Sequence, residues 1–197
     1  MNINEYNKIK NLNYDEYCNY LKEKYGEAKV DYLTPSLKKN NKISRTKEGL
    51  FCHHIKEDSS ILLCDPRMAS EAPIEYQKKE NLCYCDYLEH LLLHILICEK
   101  RGKDVTYDED HWPVGIGGIE VYLVPKLNDI YSGWNTPLAW EIPCVNKIKE
   151  DKDVYLTLIK RFKNNCYEYP RYDERYLYMS ASMFENNENL FEEIKNL

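Results

Sequence analysis

Four of the five histidines in this chain lie between Gly49 and Arg101, and they come as two pairs. His53 and His54 are adjacent, and His90 and His94 are four positions apart. An imidazole can offer a lone pair to a divalent cation, and near neutral pH it can take a proton from water. Two histidines at i and i+4 on a helix project from one face, one turn apart, which suits two ligands on one metal ion. In an extended segment neighbouring side chains point to opposite sides, so His53 and His54 can serve different purposes.

The elements that must position these groups are legible. Asp86 followed by Glu89 is a capping box, which predicts a helix from Tyr87 through the apolar run Leu88 to Ile97, with Glu99, Lys100 and Arg101 in its last turn and Gly102 as its stop. Leu50 to Ile55 is apolar and aromatic and is broken by Lys56–Ser60, which predicts a strand; Asn81 to Cys85 predicts a second. The local order is strand, connector, strand, helix. Each feature alone has an ordinary structural use. A histidine on an apolar helix is commonly a boundary residue, and a His-His pair beside an isoleucine is commonly plain strand sequence.

Taken together, His53-His54-Ile55, Asn81-Leu82 and Glu89-His90-x-x-x-His94 resemble the HNH group of the His-Me finger (ββα-metal) nucleases, with the motif spacing of the nuclease colicins. Asn81 stands nine positions before His90, and His94 four after it. The resemblance covers about a quarter of the chain. It implies that His54 is the general base and that His53, His90 and His94 hold one divalent metal. Neutral imidazoles suit zinc, nickel or manganese better than magnesium. It implies DNA as substrate, with RNA a possible one, and products carrying a 5′ phosphate and a 3′ hydroxyl. Asn81 is a ligand in relatives with fewer histidines; here three histidines already supply a set, and Asn81 is read as tying down the connector and orienting His54. Glu89 is read as a cap residue only, and His111 as outside the site.

Two features depart from that family. His54 and Asn81 are 27 residues apart, a longer step than in the compact motif, and Pro66, Arg67 and Pro73 point to an ordered loop. The net charge is −6, whereas colicin-type nucleases are basic. An acidic protein that meets a polyanion must localise its cations. The stretch Leu37 to Lys47 does so: Lys38, Lys39, Lys42, Arg45 and Lys47 occur there without an acidic residue and lead into the first strand. Arg45 is the candidate bidentate phosphate clamp, with Lys42, Lys47 and Arg101 as further nucleic-acid contacts; the bland reading is a solvated loop.

The remaining chain is read as packing and surface. At 197 residues it fits a single domain, 1–197, with a nuclease-like core over 49–102 and a helical extension over 103–197. The start lacks the apolar core of a secretory signal, and no run approaches the ~20 residues of a membrane span. Eight cysteines sit in or beside apolar runs with no Cys-x-x-Cys pair, as buried free thiols do in a reducing cytoplasm. Helices are predicted over Tyr14–Tyr25, capped by Asn13 and stopped by Gly26; over Ile116–Ile130, kinked at Pro125; over Asp151–Lys163; and from Ser182 onward. Gly115-Ile-Gly-Gly is not a dinucleotide fingerprint. Trp134 to Pro143 reads as an irregular connection with a buried aromatic pair. The tyrosines and arginines of Cys166–Tyr178 could stack on bases or could form solvated or partner-binding surface.

The expectation is therefore an α+β protein, with a ββα-metal core embedded among flanking α-helices, acting as a metal-dependent DNA endonuclease. The alternative is a non-catalytic zinc-stabilised module that binds nucleic acid or protein. A nuclease toxin held by an immunity or inhibitor protein is a third expectation.

Overall fold

The computed structural model describes residues 1–101, 113–183 and 186–197. Local capping decides its first elements. Asn2 accepts from the Glu5 backbone and opens α1 (Ile3–Ile9). Asn13 and Glu16 form a reciprocal capping box that opens α2 (Tyr14–Tyr25), and Gly26, at φ +79°, ends it. Two 3-10 turns then lead into β1 (Phe51–His54). The long connector is ordered, as Pro66 and Pro73 imply: it holds the short α3 (Pro66–Ala69) and three 3-10 turns. β2 (Leu82–Cys85) follows, and α4 (Tyr87–Arg101) begins two residues later.

β1 and β2 are antiparallel, with His53 opposite Cys83 and His54 opposite Leu82. The period-2 alternation separates two cores. Cys83 and Cys85 join the main core with α4, while Leu82 and Tyr84 join a smaller cluster with Tyr32, Leu33, Ile43 and Leu50. α4 is apolar on every side, and Leu88, Leu91, Leu92, Leu93, Ile95, Leu96, Ile97 and Cys98 are all buried. Such a helix must be enclosed. α2 covers one flank, and the later helices cover the rest. Each of those leucines contributes roughly 1.5–3 kcal/mol by burial.

After residue 113 come a π-helical turn (Gly118–Leu123), α5 (Val124–Tyr131), α6 (Ile142–Asn146), α7 (Lys152–Cys166) and α8 (Glu188–Lys195). Together with the two-stranded sheet this is a mixed α+β protein. Among the described residues no helix is long and apolar enough to cross a membrane.

Several expectations are corrected. The helix over Ile116–Ile130 is not one kinked α-helix: a π-helical turn ends beside Pro125, which lacks the N–H that would continue the ladder. The last helix starts at Glu188 rather than Ser182. The helix expected over Asp151–Lys163 spans Lys152–Cys166. Trp140 is not half of a buried pair but 48% exposed. Asn81 closes a 3-10 turn, and β2 starts after it. Six cysteines are buried, but Cys52 is half-buried and Cys64 exposed; all eight are free. The Gly102 stop, the acidic stretch 104–110 and His111 lie outside the described residues.

Asn13 supplies half of a closed cap at an exposed helix start. Asn13→Ala is expected to lower unfolding free energy by about 1 kcal/mol. Urea denaturation should show a lower midpoint with an unchanged slope.

Candidate metal centre

His53 leaves β1 toward α4, and His90 and His94 face it from one side of that helix. The ring centroids lie 5.2 Å (His53–His90), 5.4 Å (His53–His94) and 4.9 Å (His90–His94) apart. Glu57, in the 3-10 turn after β1, joins them: one ligand atom from each of His53, Glu57, His90 and His94 lies within 4.8 Å of the others. These four residues could hold a metal ion.

Second partners fix which nitrogen of two rings faces inward. The Tyr14 hydroxyl donates to the Ile55 carbonyl at 2.8 Å, so it accepts from His53 Nε2–H at 2.9 Å. His53 Nδ1 then carries the lone pair; it is buried without a hydrogen-bond partner and lies 3.5 Å from Glu57 Oε2. His94 Nδ1–H donates to the Gly115 carbonyl at 3.0 Å, which leaves the lone pair on Nε2. That atom is 3.2 Å from His90 Nε2 and 3.5 Å from Glu57 Oε2. Burial lowers all three histidines below their ordinary pKa, His94 to about 4. They are neutral at pH 7, the form that coordinates.

The geometry fits a cation. Zinc–nitrogen bonds of about 2.05 Å in a tetrahedron put donor atoms about 3.3 Å apart. Three of the six donor separations, 3.2, 3.5 and 3.5 Å, match that edge, and all four donor atoms lie within 4.8 Å of one another. Three nitrogens and one carboxylate oxygen suit zinc or a similar borderline metal, and the nitrogen-rich set disfavours magnesium. A Cβ on Gly118 would fall inside van der Waals contact of the His94 ring. The glycine run therefore lets the backbone lie against a ligand, a role that Gly115-Ile-Gly-Gly did not reveal by itself.

His54 is on the other face of the sheet. Its Nε2 meets Gln77 Oε1 at 3.1 Å, and Gln77 Nε2 donates to the Leu63 carbonyl, which fixes the amide. His54 Nε2 therefore carries the proton, and Nδ1, with the lone pair, lies 3.8 Å from Glu57 Oε1. Burial pushes its pKa down to about 4. The ring packs against Tyr32, with centroids 4.3 Å apart. Asn81 donates to the Glu75 carbonyl and so ties down the connector, but the group that orients His54 is Gln77.

A cavity of about 960 Å³ opens beside this centre. Glu57, His90 and His94 line it, as do Tyr32, Lys39 and Arg45; His53 and His54 do not. The Arg45 fork is already engaged: Nε and Nη2 bind Glu48, and Nη1 donates to the Tyr25 carbonyl. It is thus no ready bidentate clamp. Lys42 and Lys47 are exposed, while the Arg101 side chain lies outside the described residues. Glu89 does more than cap α4: buried, it also accepts from Lys24 and Tyr25 and ties α2 to α4.

Glu57, Tyr14, Gln77 and Gly118 were not legible as site residues. His53-x-x-x-Glu57 was the one signal available for Glu57; Tyr14 and Gln77 come from elements whose placement only the fold decides.

Two outcomes test the centre. Tyr14→Phe removes the acceptor that fixes His53 and should weaken metal affinity about 10–100-fold, read by competition with a chelating dye. Burial raises the Glu57 carboxyl to about 8, so the metal-free fold loses stability as pH rises from about 4.5, its unfolded value, to about 8. Glu57→Gln should therefore raise the melting temperature of the metal-free protein by a few degrees at pH 8 while weakening metal binding. The chain matches no known family model, curated protein or solved structure.

Proposed function

We propose that this protein is a metal-dependent endonuclease of the HNH type, hydrolysing DNA phosphodiester bonds to leave a 5′ phosphate and a 3′ hydroxyl. One observation carries the reading: His53 from a strand and His90 and His94 from the following helix converge on one point beside an open cavity, in the order strand, strand, helix. In this reading β1, β2 and α4 form a ββα-metal core. His53, His90 and His94 hold the cation, with Glu57 as a fourth donor. A bound divalent cation supplies charge neutralisation at the scissile phosphate and the departing 3′ oxygen. His54 takes the proton of the attacking water at Nδ1, the nitrogen that Gln77 leaves free, and Gln77 holds the ring in that orientation. Glu57 lies between His54 Nδ1 and the cation-binding nitrogens and couples the two.

A second reading has its own support. Four protein donors are enough to complete a tetrahedral shell, and His54 packs against Tyr32 and is not on the cavity wall. A closed tetrahedral set is the pattern of a structural zinc site, which fits a non-catalytic binding module.

Plasmid incubated with purified protein and manganese, nickel or zinc separates the two. The nuclease reading expects nicking, its loss by at least about 100-fold in His54→Ala with metal still bound, and its loss together with the metal in His90→Ala. No cutting by the metal-loaded protein, with unfolding when metal is removed, would establish the structural role instead.

A further inference from the structure

The cavity beside the metal centre has walls that a duplex would not use. Its described lining is largely apolar and aromatic: Phe51, Tyr32, Tyr122, Trp140 and Tyr176 contribute rings. Trp140 and Tyr122 are 48% and 45% exposed, so two large flat side chains stand at the solvent edge of the cavity. Base pairs in a duplex present only their edges in the grooves, and their faces are stacked on one another. An unpaired strand offers the face of every base, and stacking on aromatic side chains is its principal, sequence-tolerant recognition.

The charges are placed to match. Lys39, Arg45 and Arg171 belong to the cavity wall, Arg45 already paired with Glu48 and Lys39 over the Tyr32 ring at 5.2 Å. Lys42 and Lys47 are exposed on the same basic stretch. The carboxylates of the lining are Glu57, a member of the metal group, and Glu120, which accepts from the Asp173 backbone. A chain of net charge −6 thus gathers cations around an aromatic cavity that ends on a cation-binding centre. The volume of about 960 Å³ is at the upper end for small-ligand sites and accommodates a few nucleotides rather than a double helix.

We propose that this cavity binds unpaired nucleic acid, with bases stacked on Trp140 and Tyr122 and a backbone phosphate delivered to the His53–Glu57–His90–His94 centre. The proposal names the substrate class of the nuclease reading and rests on it for the chemistry, but not for the binding.

The test is fluorescence anisotropy, without added divalent metal, on a labelled single-stranded DNA of about 12 nucleotides, within the usual site size of one binding groove. The same-sequence RNA and the blunt DNA duplex are run beside it. Single strands should bind at least about tenfold more tightly than the duplex, and Trp140→Ala should weaken single-strand binding about tenfold. Trp140→Phe, which keeps a stacking face, should stay within about threefold of the parent. Either polymer bound in this way upholds the proposal, and the ratio of the two identifies which is preferred. Duplex bound as tightly as single strand, or no effect of Trp140→Ala, overturns it. Metal-dependent cutting of duplex that is unchanged in Trp140→Ala would also overturn it while leaving the nuclease reading intact. Tight, Trp140-dependent binding of single strands with no cutting under any metal would uphold it and end the nuclease reading.

Discussion

The structure depends on where a few lone pairs point. His94 Nε2 and His90 Nε2 face each other at 3.2 Å, and His53 Nδ1 is buried without a hydrogen-bond partner. Buried polar atoms without partners are costly. Two imidazole lone pairs repel unless a proton or a cation lies between them. Burial holds these rings neutral, so without a cation His90 can donate Nε2–H to His94 Nε2, and His90 Nδ1 is then left, like His53 Nδ1, buried without a partner. A divalent cation would take up the lone pairs of His53 Nδ1, His90 Nε2 and His94 Nε2 together. Metal binding and folding of this region would then be one equilibrium, because the candidate site is the junction of β1 and α4.

The packing serves that junction. α4 is apolar all round because it is enclosed, and enclosure fixes its rotation, so His90 and His94 have one direction to face. α2 contributes twice. Its first residue, Tyr14, orients His53, while Lys24 and Tyr25 at its far end bind Glu89 at the start of α4. The Gly115–Gly118 backbone closes the other side against His94. Residues from α2 and from the glycine run, far apart in sequence, thus set the tautomers and positions of ligands that neither segment supplies.

What the sequence revealed follows from how local each cause is. α2 and α4 were legible to their first residue because a capping box is decided within four positions. The two strands and the clustering of His53, His90 and His94 were legible because period 2 and i, i+4 spacing are local geometry. Glu57 was not, since one carboxylate in a polar turn looks like solvated surface until the turn is seen to fold back onto His53. Gln77 was not, because its partner is 23 positions away across an irregular connector. Arg45 misled for a different, local reason: Glu48, three residues on and just past the acid-free stretch, takes the guanidinium that the charge pattern had offered to a phosphate. Pro125 announced a break in the Ile116–Ile130 helix, but apolar periodicity does not distinguish an α-helical from a π-helical turn before it.

Glu57 decides how the centre and the cavity act together. Its carboxylate touches both halves of the chemistry, Oε2 toward His53 and His94 and Oε1 toward His54 Nδ1. Without a cation its burial is unfavourable, and its pKa rises to about 8. A cation on the three histidines reverses that preference, because opposite charge beside a carboxylate favours the ionised form. Loading the centre therefore converts Glu57 from a neutral group into a fixed negative charge facing His54. The dication outweighs the one carboxylate charge, so loading would lower the basicity of His54 Nδ1, and the ionised Glu57 would limit that loss. Glu57 thus links the histidine cluster to His54, and in the nuclease reading it sets how occupancy of the centre is felt at the general base.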